Sequence, residues 1–390
     1  MFTFSTVPRV LCGPGSVDRL SALVAESGAS RPLIVTDKGI VKAGLLDAIR
    51  QTLSATAALN VFDNVLADPS DTLIEEAASA ALAHQADCII GLGGGSSLDT
   101  AKVVARLACR QASADQQTLS QMYGVSQIAG QRLPLILIPT TAGTGSEATP
   151  VAVVTTSETT KAGIVSDKLL PDIAILDASL TIGLPPAITA ATGIDAMVHA
   201  IEATTSKIRR NSYSAMLAER ALTLLCSNIH TACESPQDIQ GREAMLLGAF
   251  LAGQAFANAP VGGVHALAYP LGGHFHIPHG LSNALVLPHV IRHNASSAEP
   301  DYRRIAQIMA VNVDAQSDRF PAAEALAGYF TGLSKQLGLP VSLNQCGVEK
   351  GDIGLLAAEA MKQTRLLVNN PCEISEQDAC TIYMNAYQCK

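Results

Sequence analysis

Charge is scarce in this sequence, and what there is leans acidic. Asp, Glu, Lys and Arg make up 15% of the 390 residues, with 26 Lys+Arg against 34 Asp+Glu and a formal net charge of -8. No basic run exceeds a pair such as Arg209-Arg210. The electrostatic footprint of a nucleic-acid binder is therefore missing, and DNA and RNA are excluded as expected partners. The nine cysteines are an odd number, scattered from Cys12 to Cys389 without a C-x-x-C pair. A disulfide framework is not indicated, and reduced thiols in a cytoplasmic protein are expected. The opening Met1-Phe-Thr-Phe-Ser-Thr-Val-Pro-Arg9 lacks a cationic start followed by an apolar run, so no secretory signal is read there.

A long uncharged stretch is present, from Ala244 to Val264. It is long enough to cross a bilayer at about 1.5 Å per residue. It also carries Gln254, Asn258, Pro260 and several glycines, which are costly in hydrocarbon. A buried helix ending near Asn258-Ala-Pro260 is expected instead, with no membrane implied.

With 48% hydrophobic residues the chain can bury a sizeable core, and its length suggests two domains. The first half alternates short β-branched runs with helix-like stretches, the pattern of a parallel sheet covered by helices. Strands are expected at Pro32–Thr36, Asn60–Phe62, Asp87–Gly91, Leu135–Ile138, Val151–Val154 and Ile173–Leu176. Ser70 to Ala86 reads as a helix with its N-cap at Ser70 or Asp71. After Leu184-Pro185-Pro186 the β-branched runs give way to alanine- and leucine-rich segments at Ala187–Thr204, Asn211–His230, Gly241–Asn258, Ser282–His289 and Ala322–Leu337. The expectation is an α/β domain over 1–184, an all-α domain over 185–390, and an active site between them.

Two loops carry ligand-binding chemistry. Asp87-Cys-Ile-Ile-Gly-Leu-Gly93-Gly94-Gly95-Ser96-Ser97-Leu-Asp99-Thr-Ala-Lys102 is an apolar strand running through three glycines into a helix. Glycines let backbone N–H groups approach an anion, and the helix N-terminus adds partial positive charge. The motif is neither G-x-G-x-x-G nor a P-loop, and a tight strand-to-helix turn is the alternative reading. Ile138-Pro139-Thr140-Thr141-Ala-Gly143-Thr144-Gly145-Ser146-Glu147 again follows a strand and packs hydroxyls with glycines. Together the loops point to a phosphate-bearing cofactor, with Gly94, Asp99 and Thr144 among the candidate residues. Asp37 ends an early strand, where a carboxylate accepts from a ribose diol and repels a 2'-phosphate, favouring NAD over NADP. A plain surface aspartate is the alternative there.

The second half holds a metal-ligand pattern. Asp195 and His199, in Gly193-Ile-Asp-Ala-Met-Val-His199, are four apart on an expected helix and share a face. Downstream, His265, His274, His276 and His279 place four of the nine histidines within 15 positions, among glycines and prolines. Neutral imidazoles are the commonest transition-metal ligands, and with a carboxylate they suit Fe(II), Zn(II), Mn(II) or Co(II).

These motifs, in this order, together with Pro8-Arg-Val-Leu-Cys-Gly-Pro-Gly15 and Pro278-His279-Gly280, resemble the iron-containing (group III) alcohol dehydrogenases from end to end. The resemblance implies an N-terminal Rossmann-like dinucleotide domain, a helical C-terminal domain of dehydroquinate synthase-like fold, and a metal in the cleft between them. It implies a metal-dependent oxidoreductase moving hydride between NAD(H) and a small alcohol or aldehyde. It further implies Asp195, His199, His265 and His279 as ligands, Fe(II) as the expected ion with Zn(II) the alternative, and a homodimer or larger homo-oligomer. Gly95, Ser96, Thr140, Thr141, Gly145, Ser146 and Lys161 match its cofactor-contacting positions, and Asp37 the residue tied to NAD preference. Tyr269 stands where many relatives have a histidine proposed to relay protons, so the relay passes to Tyr269, His274, His276 or water. His279, Tyr269 and His276 are thus the catalytic candidates. Asp68-Pro69 replaces the Asn-Pro of many relatives. The competing readings are a transhydrogenase or maleylacetate reductase, with Arg209 or Arg210 clamping a substrate carboxylate, and a dehydroquinate synthase-like lyase.

Overall fold

The computed structural model describes residues 1–53, 58–109, 117–157, 160–314 and 319–388. The chain divides into two compact units, Ser5–Gly183 and Leu184–Lys390, the latter taking in Met1–Phe4. Phe2 and Phe4 place their rings 5.8 and 5.4 Å from that of Tyr213, which ties the first residues to the helical unit.

Among its described residues the α/β unit has nine strands: β1 Arg9–Cys12, β2 Pro32–Asp37, β3 Asn60–Val65, β4 Cys88–Gly93, β5 Gly124–Val125, β6 Leu135–Pro139, β7 Val151–Thr155, β8 Lys161–Val165 and β9 Ile173–Leu176. Its α-helices are α1 Leu20–Glu26, α2 Lys38–Lys42, α3 Leu45–Thr52, α4 Asp71–His84 and α5 Gly95–Leu107. Six strands form a parallel sheet in the order β1-β9-β6-β4-β2-β3, and β5-β8-β7 form a second, small one. In the large sheet, alternate residues pack to opposite faces, as the two-residue period of a strand requires. Ile34, Ile90, Leu92, Ile136 and Ile138 join Leu20, Leu23, Leu46 and Ile49 of α1 and α3. Leu33, Val35, Ile89, Leu135 and Leu137 join Ala77, Ala81, Leu98 and Ala101 of α4 and α5. Burial on both faces is why these strands read as unbroken apolar runs. Each fully buried Leu or Ile contributes about 1.5–3 kcal/mol.

All six expected strands form, and α4 begins behind Ser70, whose side chain accepts from the Leu73 N–H at 3.2 Å. Three strands were not expected. β1 is an edge strand with exposed residues, β5 has two residues, and β8 (Lys-Ala-Gly-Ile-Val) is mostly half-buried, so none shows a clean alternation.

The helical unit holds nine α-helices, and no strand among its described residues. They are α6 Pro186–Thr205, α7 Ser212–Glu234, α8 Ile239–Asn258, α9 Gly263–Phe275, α10 His279–Ile308, α11 Pro321–Gln336, α12 Ile353–Met361, α13 Thr364–Leu367 and α14 Glu376–Tyr387. Pro186 occupies the first turn of α6, where its missing N–H costs nothing. One expectation is corrected and one helix was not foreseen. The segment read as Ser282–His289 extends over the 30 residues of α10, with Pro288 and Pro300 inside it, and the Gly/Pro/His-rich stretch before it, given no element in the sequence, forms α9 around Pro270. An interior proline costs about 3 kcal/mol, and here the packing of α10 on α6, α9 and α11 outweighs it. The uncharged stretch ends its helix at Asn258 as expected. Among the described residues no single helix is long and apolar enough to cross a membrane; α8 and α9 reach that length only as a pair bent by 108°.

Candidate metal centre and nucleotide loops

In the α/β unit, β2 leads outward to β3 on one side while β4 leads to β6 on the other. The switch point of the sheet therefore lies between β2 and β4, where open parallel sheets bind ligands at the carboxyl ends of their strands. Asp37 ends β2 and Gly93 ends β4 at that place. Gly93 has φ +143, and a Cβ there would fall 2.8 Å from Ser97 Oγ and 3.1 Å from Asp37 Oδ2. Only glycine fits both the backbone and the space. α5 starts at Gly95 with Gly94 as its N-cap, which offers no side-chain cap, so its first N–H groups face outward as anion donors.

The second loop is pinned to the first. The Thr140 N–H donates to the Gly93 carbonyl at 3.0 Å, and Ser146 Oγ donates to Asp99 Oδ1 at 2.5 Å. Thr144 Oγ1 accepts from the Ser146 N–H at 3.2 Å, and Gly145 is left-handed at φ 57. Thr141 and Thr144 flank the Cβ directions of Gly94 and Gly95. Asp99 is turned inward: Oδ1 also accepts from Lys102 Nζ at 3.3 Å, and Oδ2 from the Val153 N–H at 2.9 Å. Its carboxylate joins α5, the second loop and β7. Lys102, which closes the glycine-loop motif but carried no role in the sequence, is wholly buried and also donates to Thr149 Oγ1 and the Val151 carbonyl, at 3.2 and 2.7 Å. Burial pushes its pKa down, against the charge of Asp99. Burial pushes the neighbouring Glu147 up to about 7.

Asp37 is more than a surface residue. Its Oδ1 caps α2 by accepting from the Gly39 and Ile40 N–H groups at 2.8 and 3.1 Å, and its Oδ2 accepts from Ser97 Oγ at 3.1 Å. Ser96 lies in the first turn of α5, beside these groups. Lys161, on β8, pairs with Asp68 at 2.6 Å.

The helical unit assembles its site from three helices. Asp195, His199 and Glu202 stand on one face of α6 at spacings of four and three residues. His265 lies in the first turn of α9, and His279 opens α10. The ligand atoms of Asp195, His199, His265 and His279 all lie within 4.8 Å of one another. Asp195 Oδ1 is 3.9, 3.9 and 3.7 Å from the Nε2 atoms of His199, His265 and His279. Those separations are too long for hydrogen bonds and are of the order expected for donors that share one ion. Asn283, one turn after His279, aims its Nδ2 into the same space, 2.6 Å from Asp195 Oδ1 and 3.3 Å from His265 Nε2 and from His279 Nε2. Several acceptors thus converge on one point, the arrangement a cation satisfies. One carboxylate with three imidazoles suits a divalent transition metal.

Close helix packing makes this convergence possible. A Cβ on Gly280 would collide with the Ala191 carbonyl of α6 and lie 3.4 Å from Asp195 Cβ. The bare glycine lets α10 approach α6 closely enough for His279 to meet Asp195. The site opens at His279, whose side chain is 36% exposed against 2% for Asp195 and 4% for His265. Burial pushes the Asp195 pKa up, but His199, His279 and His265 and the Asn283 hydrogen bond outweigh it and hold the carboxyl below its ordinary value. Burial pushes His265 down, and Glu202 with Asp195 more than reverses this.

The remaining sequence candidates scatter. Tyr269 is half-buried, its ring centroid 5.9 Å from that of His279. His276 is exposed and closes α9 in the left-handed conformation, outside the cluster of four. His274 is half-buried, with its Nε2 lacking a hydrogen-bond partner. Arg209 and Arg210 are both exposed, and Arg210 is committed to both oxygens of Asp301 at 2.8 Å. Glu202 and Asn283 went unread in the sequence. Their positions, seven after Asp195 and four after His279, were the signal.

The family described as iron-containing alcohol dehydrogenase matches residues 8–178, and its C-terminal domain matches residues 189–387. The chain belongs to the iron-containing alcohol dehydrogenase family. It is 39% identical to long-chain-alcohol dehydrogenase 1 of Geobacillus thermodenitrificans over 96% of this chain and 94% of that one. A crystal structure of 1,3-propanediol oxidoreductase superposes with a TM-score of 0.93 at 35% identity, covering 99% of this chain and all of that one. A sulfoacetaldehyde reductase of Bifidobacterium kashiwanohense in complex with NAD+ superposes at 0.88 with 26% identity, over the full length of both. As a member of this family, the chain is an NAD(H)-linked, metal-dependent oxidoreductase of alcohols and aldehydes.

Proposed function

We propose that this chain interconverts a small alcohol and its aldehyde, holding Fe(II) on Asp195, His199, His265 and His279 and NAD on the loops after β4 and β6. The observation that carries the reading is the convergence of those four donor atoms within 4.8 Å. When bound, the ion supplies Lewis acidity toward an alcohol or carbonyl oxygen, and the nicotinamide supplies a two-electron hydride acceptor or donor.

The protein's own groups do the rest. Asp195 contributes one negative charge and the imidazoles none, which leaves a held dication its acidity. Phe256 stacks on His199 at 4.3 Å and gives this ligand an apolar wall. The first N–H groups of α5 and the hydroxyls of Thr140, Thr141, Thr144 and Ser146 receive the pyrophosphate, while Gly94, Gly95 and Gly145 allow it to approach. Asp99 positions Ser146 and does not touch the nucleotide. Asp37 excludes a 2'-phosphate. Tyr269, beside the exposed edge of His279, passes the alcohol proton toward water. His276 takes no part, and Lys161, paired with Asp68, steadies the small sheet near the cofactor. A cytoplasmic setting is carried from the sequence, whose nine cysteines are an odd number with no C-x-x-C pair. A homo-oligomer is carried from the family resemblance alone.

The test is NADH absorbance over a panel of small alcohols and aldehydes with anaerobically purified enzyme. Turnover is expected with NAD and more weakly with NADP, is lost on chelation and returns with Fe(II). An undiminished rate in metal-free enzyme, or a preference for NADP, contradicts the assignment.

A further inference from the structure

We propose that Glu202 is a positioning residue of the metal centre, setting the tautomer and orientation of His265; the inference rests on the metal-site reading above. Its carboxylate grips the first turn of α9 with both oxygens. Oε2 lies 2.6 Å from His265 Nδ1, and Oε1 accepts the Val264 N–H at 2.7 Å. The side chain is 6% exposed, so water does not compete for either bond. The Val264 contact places negative charge at the positive end of a helix and fixes the carboxylate's position. The His265 contact then has one chemical consequence. An ionised carboxylate only accepts, so Nδ1 carries the proton and the neutral ring keeps its lone pair on Nε2. Nε2 is the atom that faces Asp195, at 3.9 Å.

Glu202 reaches this place from the same helix as two of the ligands, two turns beyond Asp195 and on the same face. One face of α6 therefore contributes two donors directly and fixes a third, on α9, through a carboxylate–imidazole pair. Partners of this kind typically change metal affinity by about 10–100-fold when lost.

Glu202→Gln separates positioning from mere support. The amide oxygen can still accept the Val264 N–H, while its NH2 faces Nδ1 and drives the ring proton to Nε2, toward the ligand position. In metal-free protein labelled with 15N-histidine, at a pH high enough to hold the ring neutral, the wild type is expected to show His265 protonated at Nδ1, and Glu202→Gln at Nε2. Zn(II) affinity, by competition with a chromophoric chelator, is expected to fall about 10–100-fold while the metal-free melting temperature stays within a few degrees of wild type. Wild-type His265 protonated at Nε2 overturns the proposal without any variant. So does a Glu202→Gln protein with unchanged tautomer and Zn(II) affinity, or one that loses only melting temperature. Asp195→Ala run alongside keeps the two readings apart. If it binds Zn(II) as wild type does, the metal site itself is wrong; if it loses Zn(II) while Glu202→Gln does not, only the role of Glu202 falls.

Discussion

On the proposed reading, the nucleotide loops and the metal cluster solve the problem of binding in opposite ways. The loops are contiguous pieces of sequence whose donors are largely backbone N–H groups, made available by glycines at the ends of β4 and β6. The cluster is built almost wholly from side chains, contributed by α6, α9 and α10, and exists only because three helices approach closely. A backbone site tolerates change in most side chains around it but depends on strand order and loop anchoring. A side-chain site fails when any one donor or close helix contact is lost.

Variants that damage one region and spare the other test this contrast. The largest effect is expected from Lys102→Met in the α/β unit. Lys102 is wholly buried and its ammonium holds Asp99, which in turn holds Ser146 and the Val153 N–H. Removing one partner of a buried pair costs about 3–5 kcal/mol. Urea unfolding is expected to show that loss and the KM for NAD to rise, while metal content per chain is unchanged. A parallel fall in metal content breaks the contrast.

A smaller loss of stability, about 1–3 kcal/mol, is expected from Gly280→Ala, because the new Cβ meets the Ala191 carbonyl and pushes α10 off α6. Here metal content is expected to drop while NADH binding, followed by its fluorescence, is retained. Retained metal in this variant shows that the cluster does not depend on that approach.

The same contrast explains what could be read from sequence. The parallel sheet was legible because Leu33–Val35, Ile89–Leu92 and Leu135–Ile138 are buried on both faces and stand out as apolar runs. The glycine loop was legible because its residues are adjacent. The proposed ligands were legible as residue types, since Asp195 and His199 share a helix face and the later histidines crowd together, but periodicity could not choose among His265, His274, His276 and His279. That choice came from resemblance, and the cluster in the fold gathers two of those four, His265 and His279. α9 and the length of α10 were hidden because Pro270, Pro288 and Pro300 oppose helix locally and are overruled by packing. The inward turn of Asp99 and the grip of Glu202 on His265 are tertiary facts, carried by partners 47 and 63 positions away.

The proposed activity depends most on one divalent ion held jointly by the two helix-face residues of α6 and the histidines that open α9 and α10. Anomalous scattering at the iron edge, from crystals of anaerobically prepared enzyme, locates that ion directly. A single peak is expected within about 2.0–2.2 Å of the donor atoms of Asp195, His199, His265 and His279. A peak bound to other residues, or none at this cluster in active enzyme, contradicts it.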